Sequence, residues 1–199
     1  NYACYQDSRF ILIGTPSGIT LATEGGAHQS ISTPLIGMSQ DGLASFEPAF
    51  ADELAIILEW SFDYLQRSGK NKIDNTTWLR DKTGCSVYLR LSTNPIEQPG
   101  MRSCNIFKED VIKGAYWMKK PGPNCELVLV YQGVIAPEVL SAAGKIGEYR
   151  KDIGVLSVTS ADRLNAGWTS AQKARTLGVK SAKSHIETLM EDLPRHCVI

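Results

Sequence analysis

One loop in the first part of the chain combines the residue types that acid–base chemistry needs. It spans residues 23–30, has the sequence TEGGAHQS and carries Glu24, His28 and Gln29, the first being a carboxylate and the second one of only three histidines. The paired glycines lack a Cβ, so the backbone can take positive φ and approach a ligand closely. Imidazole donates to a substrate oxygen in one protonation state and accepts a proton in the other. On residue type alone, a histidine that only hydrogen-bonds its own turn is the more ordinary interpretation.

Short apolar runs around this loop predict strands that alternate with helices. Residues 10–14 form a continuous apolar run, typical of a parallel strand covered on both faces, and Ile19–Leu21 is predicted to extend toward the loop. Further strands are predicted at 43–46 and 86–92, with a helix over 49–67. Open α/β sheets bind ligands at the carboxyl ends of their strands, so the loop is predicted to lie at the functional edge of a sheet.

The second half of the chain repeats the pattern after a Pro- and Gly-containing segment. Strands are predicted at 125–131 and 153–158, helices at 137–148, 159–168 and 181–193, and the start of a buried strand at 196–199. We therefore predict an α/β fold of two three-layer α/β/α units with mostly parallel sheets. The predicted domains are residues 1–93 and 109–199, joined by a linker over 94–108.

The loop and the segment after it resemble a known superfamily. Residues 24–29 (EGGAHQ) are similar to the E-D-G-P-T-H-Q loop of transketolases and to the G-E-G-x-x-H loop of the homodimeric, pyruvate dehydrogenase-type first component of 2-oxoacid dehydrogenase complexes. The run from Gly42 through Phe46-Glu47-Pro48 to Ala55 is similar to the strand, proline and helix start of these thiamine-diphosphate-dependent enzymes. The resemblance implies the second half of a pyrimidine-binding, transketolase central-like domain followed by a truncated transketolase C-terminal-like domain.

The resemblance also implies a site and its cofactors. His28 is expected to be the catalytic residue that hydrogen-bonds substrate oxygens, with Gln29 and Glu24 as further substrate-binding residues. Thiamine diphosphate and Mg²⁺ are the implied cofactors, although the diphosphate and metal motif of the superfamily is not found in this chain and its activating glutamate lies upstream. The chain is therefore expected to be an inactive fragment of a larger homodimer, with a lipoyl acyltransferase core as a further partner.

Three functional interpretations stay open. The first is part of a pyruvate dehydrogenase-type first component that decarboxylates a 2-oxoacid. The second is transketolase, which often places a phosphate-binding arginine just after the strand's serine; Thr93 and Asn94 stand there instead. Arg90 is a potential substitute that could pair with a carboxylate, although a structural ion pair is the more ordinary role. The third interpretation is a non-catalytic relative that keeps this half for dimer contacts.

Composition limits the remaining classes of function. Lysine plus arginine equals aspartate plus glutamate at 21 each, which argues against nucleic acid as a partner. Apolar runs are far shorter than the ~20 residues of a membrane span, so no membrane association is expected. Five scattered cysteines without a C-x-x-C pair argue against zinc and a disulfide framework and favour a reducing, cytoplasmic location, with Cys85 and Cys125 as buried thiols.

Overall fold

The structure is a computed structural model, and it describes residues 2–15, 18–26, 28, 32–68, 79–99 and 105–199 of the chain. Six strands form two three-stranded sheets within this part of the chain. The first sheet has the strand order β1-β3-β2 and is entirely parallel. The second has the order β4-β6-β5, with β5 parallel and β4 antiparallel to the central strand. The chain therefore has the predicted α/β fold with mostly parallel sheets.

The elements follow the chain in alternation. The strands are β1 Ile11–Gly14, β2 Leu43–Phe46, β3 Ser86–Arg90, β4 Ala115–Lys119, β5 Val128–Gln132 and β6 Gly154–Val158. The helices are α1 Tyr2–Tyr5, α2 Thr33–Met38, α3 Ala51–Gln66, α4 Asn105–Lys113, α5 Ala136–Gly147, α6 Ala161–Thr176 and α7 His185–Met190. Strands β2, β3 and β6 and helices α3 and α5 lie where the sequence predicts them.

The two central strands explain why the apolar runs fold as they do. Every residue of β3 and of β6 is buried, because each strand is flanked by strands on both sides and covered by helices. Helix α3 packs against β3, and α5 packs against β5 and β6. Buried apolar side chains of both sheets share one core, which includes Phe46 and Leu89 of the first sheet and Tyr116 of the second.

The first strand and the segment after it differ from the expectation. Strand β1 lies at the edge of its sheet, and Leu12 and Ile13 are 45% and 54% exposed, so it is not covered on both faces within the described residues. Residues 19–21 are not extended, because Gly18–Glu24 forms a 3-10 helix with a kink at Leu21. A run of three apolar or β-branched residues fits either conformation, and periodicity cannot separate them.

The second half also contains elements that sequence reasoning missed or placed wrongly. Helix α4 and strand β4 were not predicted, and α6 continues to Thr176 instead of ending near Trp168. Residues 196–199 are not a buried strand: Val198 forms one isolated parallel bridge with Leu127, and the side chains of Val198 and Ile199 are exposed. A single edge bridge buries too little apolar surface to cover these side chains.

The carboxyl ends of strands from the two sheets meet. Glu47, directly after β2, donates its backbone N–H to the carbonyl of Thr159, directly after β6, at 2.8 Å. Asp162 of α6 accepts the backbone N–H of Ser45 at 3.0 Å.

The domain boundary at residues 94–108 stays a prediction. Among the described helices, none combines the length and the apolar character that crossing a membrane requires.

Candidate functional site

The predicted histidine loop leaves the carboxyl end of β1. The 3-10 helix over Gly18–Glu24 leads into it, and Gly25 takes a φ of +93°, a conformation that favours glycine. The backbone N–H of His28 donates to the carbonyl of Gly25 at 3.1 Å, which closes a tight turn. Gly26 is not among the residues with positive φ, so one glycine of the pair is used for the turn.

His28 and Glu24 both lie exposed on this turn. Neither side chain has a hydrogen bond or an ion pair with any residue in the described part of the chain. Gln29 lies outside the described residues. An exposed imidazole without a side-chain partner among the described residues is free to bind a substrate oxygen. The roles of His28, Gln29 and Glu24 stay predictions.

A second group of polar side chains lies at the same edge of the first sheet. The guanidinium Nε of Arg90, at the end of β3, is 3.4 Å from Oε1 of Glu47. Gln132, the last residue of β5, donates from Nε2 to Oε2 of Glu47 at 3.4 Å. Arg90 is buried and Glu47 is half-buried, with side-chain exposures of 6% and 18%. Arg90 thus has the structural ion pair that was the more ordinary of its two predicted roles.

The environment of Glu47 perturbs its titration. Burial raises the pKa of Glu47, and the nearby charge and hydrogen bond of Arg90 oppose this shift without cancelling it. Gly133 makes the close contact of the two sheets possible, since it has a φ of +63° and a Cβ there would lie 2.8 Å from Cγ of Glu47. The carboxylate of Glu47 is therefore held by Arg90 of β3 and Gln132 of β5, and the absence of a Cβ at Gly133 leaves room for it.

A cavity of about 220 Å³ opens beside this carboxylate. It is lined by Glu47, Arg90 and Gln132, by Pro34 of α2 and by Asp162 of α6. Burial raises the pKa of Asp162, while the hydrogen bond from Ser45 opposes the shift. Since α2 directly follows the histidine loop in sequence, the cavity and the loop belong to the same end of the first sheet.

A third carboxylate, Glu53 of α3, is fully buried where the two sheets pack. Its Oε2 accepts the backbone N–H groups of Ala49 and Phe50 at 2.6 and 3.0 Å. Its Oε1 accepts the hydroxyls of Tyr116 and Ser157 at 2.6 and 3.1 Å. Burial raises the pKa of Glu53, and these four donors oppose the shift. With 0% exposure, Glu53 has no access to a ligand and serves to hold β4 and β6 on α3.

Sequence reasoning missed most of these contacts. Glu53 lies in the first turn of α3, where the sequence predicts no more than a favourable interaction with the helix dipole and gives no sign of its partners in β4 and β6. Glu47 had a usable signal, because a carboxylate directly after a buried strand lies at the carboxyl edge of a sheet. Gln132 and Asp162 had none, since their roles depend on how the second sheet meets the first.

The described residues do not provide a metal site. They contain no group of three or more histidine, cysteine, aspartate or glutamate side chains close enough to hold a metal ion.

Curated relatives give the first comparison. The chain is 28% identical over 170 residues to the pyruvate dehydrogenase E1 component of Mycolicibacterium smegmatis. The aligned region covers 83% of this chain and 17% of the relative. The chain is 24% identical over 194 residues to the corresponding protein of Corynebacterium glutamicum, covering 95% and 20%. The chain thus spans about a fifth or less of the length of these relatives. No profile of a known protein family matches it.

Solved structures give the second comparison. The fold is similar to transketolase from Campylobacter jejuni, with a TM-score of 0.63 and 17% identity over 82% of this chain and 22% of that structure. Transketolase from Leishmania mexicana gives a TM-score of 0.62 and 20% identity, covering 82% and 21%. At this identity the likeness establishes the fold alone.

Proposed function

We propose that this chain, a member of the transketolase-like superfamily of thiamine-diphosphate-dependent enzymes, is part of a pyruvate dehydrogenase-type first component. The protein that contains it would decarboxylate a 2-oxoacid and transfer the acyl group to a lipoyl carrier. The observation that carries the proposal is the 28% identity to a pyruvate dehydrogenase E1 component over 83% of the chain.

The environment of Arg90 supports a 2-oxoacid over a sugar phosphate. A phosphate-binding arginine needs an accessible guanidinium, because it typically donates two parallel N–H hydrogen bonds to the phosphate oxygens. Arg90 is buried and paired with Glu47. It is therefore a poor substitute for the arginine that transketolases often place after this strand, and Thr93 and Asn94 carry no positive charge.

In this proposal His28 positions the substrate. Its exposed imidazole would donate a hydrogen bond to the carbonyl oxygen of the 2-oxoacid and stabilise the negative charge that develops there. Glu24 and Gln29 would orient the substrate or the imidazole. The ion pair of Glu47 and Arg90 would keep this edge of the sheet rigid.

The cofactors and partners follow from the same proposal. Thiamine diphosphate, when bound, supplies the nucleophilic carbon and stores the electrons released by decarboxylation. We assign the groups that hold it and Mg²⁺ to other parts of the protein, because the diphosphate and metal motif of the superfamily is not found in this chain. A homodimer, a lipoyl acyltransferase core and a cytoplasmic location complete the proposal.

Transketolase is the second candidate, because the EGGAHQ loop over residues 24–29 is also similar to the histidine loop of transketolases. A ferricyanide-coupled assay of the intact protein with thiamine diphosphate and Mg²⁺ separates the two. Pyruvate, longer 2-oxoacids and xylulose 5-phosphate are offered in parallel. Oxidation with a 2-oxoacid is the expected result. Turnover with the sugar phosphate alone would establish transketolase instead, and silence with every substrate would favour the non-catalytic relative.

The variant His28→Ala tests the site in the same assay. We expect kcat to fall by about 100-fold or more, as is typical when a positioned donor to a developing oxyanion is lost. Secondary structure and the affinity for thiamine diphosphate should be unchanged, since His28 has no side-chain partner in the described part of the chain. The matched control is His196→Ala, which also removes an exposed histidine and should leave kcat unaltered. Equal kcat values for the two variants would contradict the assignment.

A further inference from the structure

Two of the scattered cysteines lie side by side in the folded chain. Sγ of Cys125, just before β5, is 3.6 Å from Sγ of Cys197, although 72 residues separate them in sequence. A disulfide bond requires about 2.05 Å between the sulfurs, so they need to approach by about 1.6 Å in total. Rotation about the Cα–Cβ bonds can supply such a movement. Both thiols are free in this structure.

The neighbouring backbone already holds the two segments together. The N–H of Val128 donates to the carbonyl of Val198 at 2.8 Å, and the N–H of Val198 donates to the carbonyl of Glu126 at 2.9 Å. These two bonds fix the relative register of residues 125–128 and 197–198. The thiols therefore face each other in a defined geometry and do not depend on a chance encounter of two mobile segments.

The other described cysteines lack such a partner. Cys85 is buried and exchanges a hydrogen bond with the hydroxyl of Tyr64 at 3.0 Å. Cys4 is half-buried, and no second thiol lies within hydrogen-bond distance of it among the described residues. Among the described cysteines, the proximity of two thiols is thus specific to Cys125 and Cys197.

We propose that Cys125 and Cys197 form a redox-sensitive pair, which a low-molecular-weight disulfide such as oxidised glutathione converts into an intramolecular disulfide. The bond fastens residues 194–199 to the start of β5. It would add a covalent link beside the isolated bridge between Leu127 and Val198.

The reaction proceeds by two thiol–disulfide exchanges. The more accessible Cys197 loses its proton and attacks one sulfur of oxidised glutathione, which forms a mixed disulfide and releases one glutathione thiolate. Cys125 then loses its proton and attacks Sγ of Cys197, which releases the second glutathione. Two protein thiols are oxidised to one disulfide, one glutathione disulfide is reduced, and the two protons end on the two glutathione molecules.

The medium for the test follows from the environment of the attacking thiol. Partial burial and the neighbouring Cys125 raise the pKa of Cys197, so the thiolate that starts the exchange is scarce at neutral pH. The intact protein is therefore incubated with oxidised glutathione at mildly alkaline pH, alkylated and digested with trypsin.

Mass spectrometry then identifies the product. Cleavage is expected to place Cys125 in the peptide 120–145 and Cys197 in the peptide that begins at His196. We expect these two peptides to be joined in the natural protein and in the control Cys4→Ser. The joined peptide should be lost completely in Cys125→Ala and in Cys197→Ser. The second variant alters a half-buried side chain, whereas Cys125 is fully buried in the core.

Two results would overturn the proposal. One is glutathione attached to Cys197 with Cys125 left alkylated, which would mean that the second exchange does not occur. The other is a disulfide between Cys197 and a different cysteine. Neither result bears on the proposed 2-oxoacid reaction, which is measured separately.

Discussion

The hydroxyl of Tyr116 is a direct link between the two sheets that one substitution can remove. It donates to Oε1 of Glu53 at 2.6 Å, from β4 of the second sheet to α3, which packs on the first. Tyr116→Phe deletes this oxygen and keeps the ring, which packs edge-on against Phe107 with the ring centroids 4.8 Å apart. The variant therefore changes one hydrogen bond and little of the apolar core.

The expected loss follows from the surroundings of the carboxylate. A hydrogen bond to a charged group contributes about 1.5–3 kcal/mol, and removing one partner of a buried group forfeits most of that value. Water cannot replace the hydroxyl, because Glu53 has 0% exposure. The hydroxyl of Ser157 and two backbone N–H groups remain as donors. We therefore expect the free energy of unfolding to fall by about 2 kcal/mol.

Urea unfolding of the 199-residue chain, followed by circular dichroism, measures this loss. Tyr149→Phe is the matched control, since Tyr149 is 87% exposed and its hydroxyl should contribute nothing measurable. In the background Glu53→Gln, the loss from Tyr116→Phe should shrink to about 1 kcal/mol, because the bond is then between neutral groups. A loss below about 0.5 kcal/mol in the natural background would refute the idea that this bond holds the sheets together.

Two further predictions concern the contact at Glu47. Gly133→Ala should lower the free energy of unfolding by about 2 kcal/mol or more, because the alanine would have to keep a positive φ and its Cβ would lie 2.8 Å from Cγ of Glu47. The control is Gly144→Ala, in an exposed helical position where a Cβ would meet nothing within 4 Å. It should leave the free energy of unfolding unchanged or raise it in the same measurement. Glu47→Gln should alter the pH dependence of unfolding. The pKa of Glu47 is raised on folding, so the folded state binds its proton more tightly, and the contribution of Glu47 to stability is complete below its ordinary pKa of 4.5 and is lost as pH rises through the folded value. The stability difference between the natural chain and Glu47→Gln should therefore decrease with rising pH across that window, and a difference that increases would contradict the shift.

Local sequence patterns were sufficient for the elements that are buried at the centre of each sheet. Residues 86–90 and 154–158 are short apolar runs bounded by turns, and helix 51–66 shows a helical apolar stripe. The length of each run and the residues that flank it distinguish strand from helix, so these predictions do not require knowledge of the partner. The α/β fold and the alternation of strands and helices follow from them.

Patterns failed where an element depends on its neighbours. Strand β4 was missed because it is a short antiparallel edge strand, and its position is set by pairing with β6. Helix α6 was predicted too short because its later turns are polar and carry only a weak apolar stripe. The exposure of β1 was missed because a continuous apolar run is also expected of a covered strand.

The chemistry of the chain divides in the same way. The sequence by itself determined the glycine-containing loop with His28 and the resemblance to thiamine-diphosphate-dependent enzymes, because both depend on residues that are adjacent in the chain. Only the tertiary structure decided which carboxylates are buried and what they bind. Glu47 meets Gln132, Glu53 meets Ser157, and Cys125 meets Cys197 across separations of 85, 104 and 72 residues. The physical reason is that the first two contacts depend on how the two sheets pack against each other, and the third depends on how residues 197–198 return to the edge of the second sheet. No local spacing in the chain encodes either arrangement.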